Sequence, residues 1–267
     1  MSLYREEPVV SARGSRATND VCEQLGDGHF RIDGRELRVP MVIEDCSVVA
    51  AAFWVDAKAA QGLLAPSSLR VEEAFPGRTP LVLLGVQYRD NPLGDYGEAA
   101  ILFPVRTGGR KARMPFGGLL SLLTGSAALL VYRMPVDQEF TTHAGRFIWG
   151  YPKYLARIDV ALAEKSARVR LEQDGRLVFA FSAPATLSGR SYETRGTTLT
   201  AREGIVRSIA AKVEASAVAF RLGGEAPEIG DAHPLALELR SLGLPKTPIL
   251  TASIRHARMH FEGARTL

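Results

Sequence analysis

The chain is short of cysteine, short of lysine and without a long apolar run, and each shortage removes a class of function. Two cysteines, Cys22 and Cys46, in 267 residues give neither a Cys-x-x-Cys metal spacing nor a disulfide framework, and they read as reduced thiols of a cytoplasmic protein. The histidines, His29, His143, His233, His256 and His260, form no His-x-His or His-Glu-x-x-His pattern, so no metal site is expected. The apolar stretch Gly117–Tyr132 contains Ser121, Thr124, Gly125 and Ser126 and is shorter than the roughly 20 residues of a membrane span. It reads as core or interface, and no membrane partner is expected. Met1–Arg16 is polar and charged, unlike a secretory signal. There is no Gly-x-Ser-x-Gly elbow, and Gly108-Gly109-Arg110-Lys111 lacks the Gly-Lys-Ser/Thr end of a phosphate loop. A concentrated basic stripe is missing too: 33 basic residues face 29 acidic ones for a net charge of +4, with the signs interleaved. Nucleic acid is therefore not an expected partner.

What is present is a long series of short segments rich in Val, Ile, Leu and aromatics, separated by turn residues. They are Val48–Val55, Leu69–Glu73, Pro80–Tyr88, Tyr96–Val105, Ala127–Met134, Ala156–Ala163, Ala167–Gln173, Leu177–Ser182, Tyr192–Leu199, Glu214–Leu222 and Ile249–Phe261. Such a series predicts a mainly β domain, an antiparallel sheet closed into a barrel or sandwich. Helices are few. Asp56 is placed to cap Ala57–Leu64 before Pro66, and Asp137 to cap a turn or two through Gln138–Arg146, ending near Gly150 and Pro152. Pro115–Gly125 fits a short helix, and His233–Gly243 fits strand and helix alike. Residues 1–37 form a polar lead-in with Gly26, Gly28 and Gly34 as turn residues, and 38–267 form one domain.

Only six of the 33 basic residues are lysines, and five of those lie in polar or flexible contexts. Lys153 does not. Phe147, Trp149, Tyr151 and Tyr154 surround it, four of the chain's 20 aromatics within eight residues, where even spreading gives fewer than one. A lysine in that company is expected to be buried. Burial matters because a nucleophilic amine must be neutral. Free lysine titrates near about 10.4, and desolvation can lower that by roughly 3–5 units. A neutral amine attacks a ketone to give an iminium, which draws electrons from a breaking carbon–carbon bond. The bland alternative is a lysine that lays its stem on an aromatic patch and keeps its head in water.

The segment Gly145-Arg146-Phe147-Ile148-Trp149-Gly150-Tyr151-Pro152-Lys153-Tyr154-Leu155-Ala156 resembles the active-site segment of the acetoacetate decarboxylases. Those show Gly-Arg-Glu, a short apolar link, then aromatic-Pro-Lys-Lys-Leu. Gly94-Asp95-Tyr96-Gly97-Glu98-Ala99 through Pro104-Val105 is similar to the family's Tyr-x-Glu strand, and Phe53-Trp54-Val55-Asp56-Ala57 through Leu64-Ala65-Pro66 to its strand-then-helix opening. The likeness covers roughly residues 40–262. It implies a single-domain, cone-like, mainly antiparallel β-barrel (α+β by its few short helices) with an apolar cavity, assembled as a homo-oligomer. It places Lys153 on the family's Schiff-base lysine and Glu98 on a cavity carboxylate.

Three positions depart from the family pattern. Tyr154 stands where a second lysine is expected, Trp54 where the first strand carries an arginine, and Gly85 where a second cavity glutamate is expected. These changes point away from acetoacetate and towards a larger, less charged carbonyl substrate. The expectation is a Schiff-base carbon–carbon lyase, decarboxylase-like or aldolase-like, that needs no cofactor because the iminium is the electron sink. Lys153 and Glu98 are the catalytic candidates. Trp54, Gly85, Arg146, Phe147, Trp149, Tyr151 and Tyr154 are the substrate-binding candidates. The alternative is a non-catalytic protein that binds an apolar small molecule in the same barrel.

Overall fold

The computed structural model describes residues 22–64, 68–106 and 127–267. Its strands in chain order are β1 (Glu23–Gly26), β2 (His29–Ile32), β3 (Arg35–Arg38), β4 (Met41–Asp56), β5 (Arg70–Val71), β6 (Arg78–Arg89), β7 (Tyr96–Arg106), β8 (Ala128–Val136), β9 (Lys153–Leu155), β10 (Arg157–Leu162), β11 (Ser166–Gln173), β12 (Arg176–Pro184), β13 (Tyr192–Arg202), β14 (Ile205–Leu222), β15 (Glu228–Ile229), β16 (Leu250–Phe261) and β17 (Arg265–Thr266). Three α-helices accompany them among the described residues: α1 (Ala57–Leu63), α2 (Glu139–Ala144) and α3 (Pro234–Ser241). None is long and apolar enough to cross a membrane.

The main sheet runs β7–β6–β4–β16–β14–β13–β8, and β8 pairs back onto β7, so these seven strands close a barrel. Six of its joints are antiparallel. The joint between β13 and β8 is parallel, through Thr198↔Leu129 and Leu199↔Leu130, so the barrel is mixed. A second sheet, β10–β11–β12–β15, covers one face of the barrel strands. There Phe53, Leu83, Ile101 and Phe103 pack with Val169, Leu171 and Phe179, all essentially without solvent contact. Burying such a side chain is worth about 1.5–3 kcal/mol, so this layer is a major source of stability. On the other strand face Tyr88, Tyr96, Trp149 and Tyr151 pack with Phe30, Ile32 and Leu37.

Those last three residues come from the three-stranded sheet β1–β2–β3, which occupies the described part of the polar lead-in. Only Phe30 and Ile32 in β2 and Leu37 in β3 are buried, and the other strand residues are exposed or half-buried, which is why the segment looks polar overall. Gly28 and Gly34, at φ +65° and +78°, make the two turns as expected.

Asp56 caps α1, its Oδ1 accepting from Ala59 N at 2.7 Å. Asp137 does not cap α2. Its Oδ1 accepts from Gly97 N at 2.8 Å, tying the strand end to β7, and Gln138 takes the N-cap position without a side-chain bond. A direct bond to an extended backbone N–H has replaced the cap. The ambiguous stretch at 233–243 is helical. His233 Nδ1 accepts from Leu235 N at 3.2 Å, Pro234 opens the helix, and Gly243 follows it at φ +88°, the usual Pro-first, Gly-last asymmetry. Leu235, Leu239 and Leu242 are buried while Leu237 is half exposed, a helical rather than a strand period. The short helix expected at 115–125, and residues 107–126 between β7 and β8, lie outside the described residues.

Candidate active site

Lys153 is delivered by an unusual turn. After α2 the chain widens into one π-turn, Gly145–Trp149, and stops at Gly150 with φ +71°. Single π-turns are rare and recur at functional sites. Gly150 needs the left-handed conformation that glycine adopts without cost. Tyr151 and Pro152 lead into β9, which pairs in parallel with β8 through Met134↔Lys153. Arg146 Nε donates to Lys153 O at 2.6 Å, and Lys153 N to Tyr151 O at 2.8 Å. Trp149 Nε1 donates to Glu262 O at 2.9 Å, and Thr200 Oγ1 to Trp149 O at 3.3 Å. The backbone on both sides of Lys153 is therefore held from four directions.

The side chain turns back over the π-turn. A Cβ at Gly145 would lie 2.5 Å from Lys153 Cδ and 2.8 Å from Cε, so the lysine stem occupies the space that any larger residue at 145 would fill. Its amine ends 2.9 Å from Glu98 Oε2, and both side chains are 4% exposed. Tyr88 donates its hydroxyl to the other carboxylate oxygen, Oε1, at 3.2 Å. Tyr96 stacks on Tyr88 with ring centroids 4.5 Å apart. The amine stands 4.9 Å above the Tyr96 ring and 3.5 Å from its hydroxyl.

The hairpin β6–β7 makes this grouping. Tyr96 and Glu98 lie two residues apart and so share a face, and Tyr88 is directly opposite Tyr96 in the antiparallel register. Burial, and after it the Glu98 carboxylate, pushes both phenols well above the ordinary tyrosine range. They are hydrogen-bond donors at any working pH. Tyr151, also pushed up by burial, shares a 3.0 Å hydrogen bond with Thr198. The result is one amine, one carboxylate and phenolic hydroxyls in a water-poor pocket, a set suited to carbonyl chemistry and proton transfer. Among the described residues no cluster of three or more His, Cys, Asp or Glu is placed to hold a metal.

The family profile of acetoacetate decarboxylase (ADC) matches residues 33–218 of the chain. The chain belongs to the acetoacetate decarboxylase family. A solved acetoacetate decarboxylase superposes with a TM-score of 0.60 at 16% identity, covering 86% of this chain and 90% of that one. The acetoacetate decarboxylase of Legionella pneumophila gives 0.57 at 16% over 85% and 87% of the two chains. The enduracididine biosynthesis enzyme MppR, complexed with pyruvate, gives 0.56 at 19% over 86% and 91%. At these identities the likeness is one of fold. No curated protein matches the sequence.

Within this family fold the residues singled out from sequence divide. Lys153 and Glu98 meet. Trp149 and Tyr151 pack in the same cluster as Tyr88 and Tyr96. Arg146 lies beside the site and holds the Lys153 carbonyl. Phe147 is 43% exposed and meets Phe30 edge-on at 6.2 Å, away from the amine. Tyr154, next to Lys153 on an extended strand, points to the opposite side, half-buried. Trp54 shares the strand face of Glu98 but pairs with Pro80, whereas Val48 is level with Val86 and Glu98. Six residues separate it from Val48, about 20 Å along the strand. Gly85 faces away from the pair, its Cβ position 2.5 Å from Val169 Cγ2 of the covering sheet. Its glycine is required by that close approach and opens no space beside Lys153. His143, near Lys153 in sequence, pairs with Asp33 at 2.7 Å instead.

Sequence reasoning missed Tyr88, and it saw Tyr96 and Gly145 only as parts of motifs. The even spacing of Tyr96 and Glu98 was visible, but Tyr88 joins them only once the turn fixes the hairpin register.

Proposed function

We propose that the protein is a Schiff-base carbon–carbon lyase acting on a keto acid or related small carbonyl compound. The observation that carries the reading is the enclosed Lys153–Glu98 pair at 2.9 Å. Glu98 Oε2 takes the proton of the Lys153 ammonium, and the neutral Nζ attacks the substrate carbonyl carbon. Glu98 gives that proton to the carbonyl oxygen, takes a second from the nitrogen and delivers it to the same oxygen, which leaves as water. The positively charged iminium then accepts the electron pair of the neighbouring carbon–carbon bond, whose other fragment leaves as carbon dioxide or an aldehyde. The enamine takes a proton at carbon, and water releases the product and restores the amine. Decarboxylation and aldol-type cleavage share this intermediate. One relative fits such a role: the MppR structures with pyruvate and with the condensation product of pyruvate and imidazole 4-carboxaldehyde have a fold of this kind holding carbonyl compounds.

The test is covalent trapping. The protein is incubated with keto acids, diketones and simple ketones, reduced with borohydride, and weighed intact. A reduced adduct that maps to Lys153 and is absent in Lys153→Ala supports the lyase. No adduct with any carbonyl compound rejects it. The second reading, a binding protein without turnover, is favoured by the direct ion pair, which satisfies Lys153 without any chemistry.

A further inference from the structure

We infer that the carbonyl substrate carries an aliphatic tail, which lies in an apolar trough along β4. The inference rests on the Schiff-base reading for the head of the substrate and on separate observations for its tail.

Register places the trough. Glu98 is opposite Val86, and Val86 is opposite Val48, so these three share the face on which the amine sits. One step along the strands the same face carries Ala100, Leu84, Ala50 and Ala252 in a row. One step further, Val82 and Ala52 continue it. Antiparallel sheets that turn one face to water normally put polar residues there. Here the opposite face of β4, with Val49, Ala51 and Phe53, is already core, yet this face is apolar as well. Its burial is graded. Val86 and Val48 beside the pair are 2% and 8% exposed and Ala100 is 1%, whereas Leu84, Ala50, Ala52, Val82 and Ala252 are only half-buried. The alanines form a low floor, with Leu84 and Val82 standing higher along one side.

The dimensions favour a ligand over a second copy of the chain. Two rows across four strands cover roughly 250 Å², well below the about 800 Å² that each partner contributes to a stable protein interface. From Val48 to Ala52 the trough runs about 13 Å, enough for an extended alkyl chain whose carbonyl end reaches Lys153. No charged side chain but Glu98 stands in these rows, so the tail is uncharged.

The experiment uses the full chain, Ala50→Phe and Ala252→Phe. Methyl ketones from acetone through nonan-2-one are trapped on Lys153 with borohydride at sub-saturating concentration. In the unaltered protein trapping efficiency rises about two- to fourfold per added methylene, and in both variants the ratio of nonan-2-one to acetone trapping falls at least about tenfold. A flat series, or a gain that both variants keep, overturns the inference. So does a change of oligomeric state in the variants with an unchanged series, which assigns the face to a second copy. Nonan-1-ol has the tail but no carbonyl, and its calorimetric titration separates the two readings. Binding that Ala50→Phe abolishes supports the trough even where no ketone is trapped and the Schiff base fails. No binding overturns the trough even where acetone is trapped.

Discussion

Lys153 Nζ and Glu98 Oε2 stand 2.9 Å apart with 4% of either side chain exposed, so each is the other's replacement for water. Removing one partner of such a pair strands a buried charge and costs about 3–5 kcal/mol. Glu98→Leu is therefore expected to destabilise the fold by that amount in urea unfolding, and Lys153→Met/Glu98→Leu to recover most of it. A double variant no more stable than Glu98→Leu alone contradicts the pairing.

Gly145 sets the path of the lysine stem. Gly145→Ala places a methyl group where Lys153 Cδ now lies. Borohydride trapping should slow at least about tenfold, while circular dichroism shows the same fold. An unchanged trapping rate means the stem lies elsewhere.

Tyr88 holds the carboxylate oxygen that the amine does not use. Tyr88→Phe leaves that oxygen without its donor, at a cost of about 1–3 kcal/mol. The pH dependence of trapping should also move, because the carboxylate facing the amine has lost a hydrogen bond. A lower stability with an unmoved pH profile would make Tyr88 a packing residue only.

Burial pushes the Cys46 thiol up to about 12, and its Sγ–H donates to Ala257 O at 3.5 Å. At pH 8 iodoacetamide should leave Cys46 unlabelled in the folded protein and label it in urea. Labelling at equal rates in both states disproves the burial.

His233 caps α3 through Nδ1, and burial holds its pKa below the ordinary histidine value. The folded state thus binds this proton less well than the unfolded one. The stability it contributes is complete above about pH 6.5 and is lost as pH falls through the folded value, where the cap gains a proton and ceases to accept. Unfolding free energies at pH 7.5 and 5 should differ less in His233→Asn, which caps without titrating. An equal loss in both proteins excludes the cap as the cause.

The legible parts of the sequence were those with local causes. Alternation located the long barrel strands, and Asp56 with its following alanines fixed α1. Lys153 announced itself by its aromatic neighbours. What stayed hidden depends on register. Whether Gly85 faces the amine or Val169 turns on which parity of β6 meets the covering sheet, and nothing within β6 decides that. Trp54 is on the correct face, but distance along a strand cannot be read without knowing which residues pair. The hairpins at 23–38 escaped because their buried residues, Phe30, Ile32 and Leu37, are too few and too widely spaced to form an apolar run.

The place of β8 in the barrel, joined to β13 in parallel, has a consequence for when Lys153 and Glu98 meet. Lys153 is carried on β9, which pairs with β8 on the side that β13 also uses, and Glu98 on β7 at its other side. β8 lies between the two strands and closes the cylinder. A nascent or partly unfolded molecule therefore holds the two side chains apart. If the proposed Schiff-base chemistry holds, adduct yield gauges how much of a preparation is natively assembled.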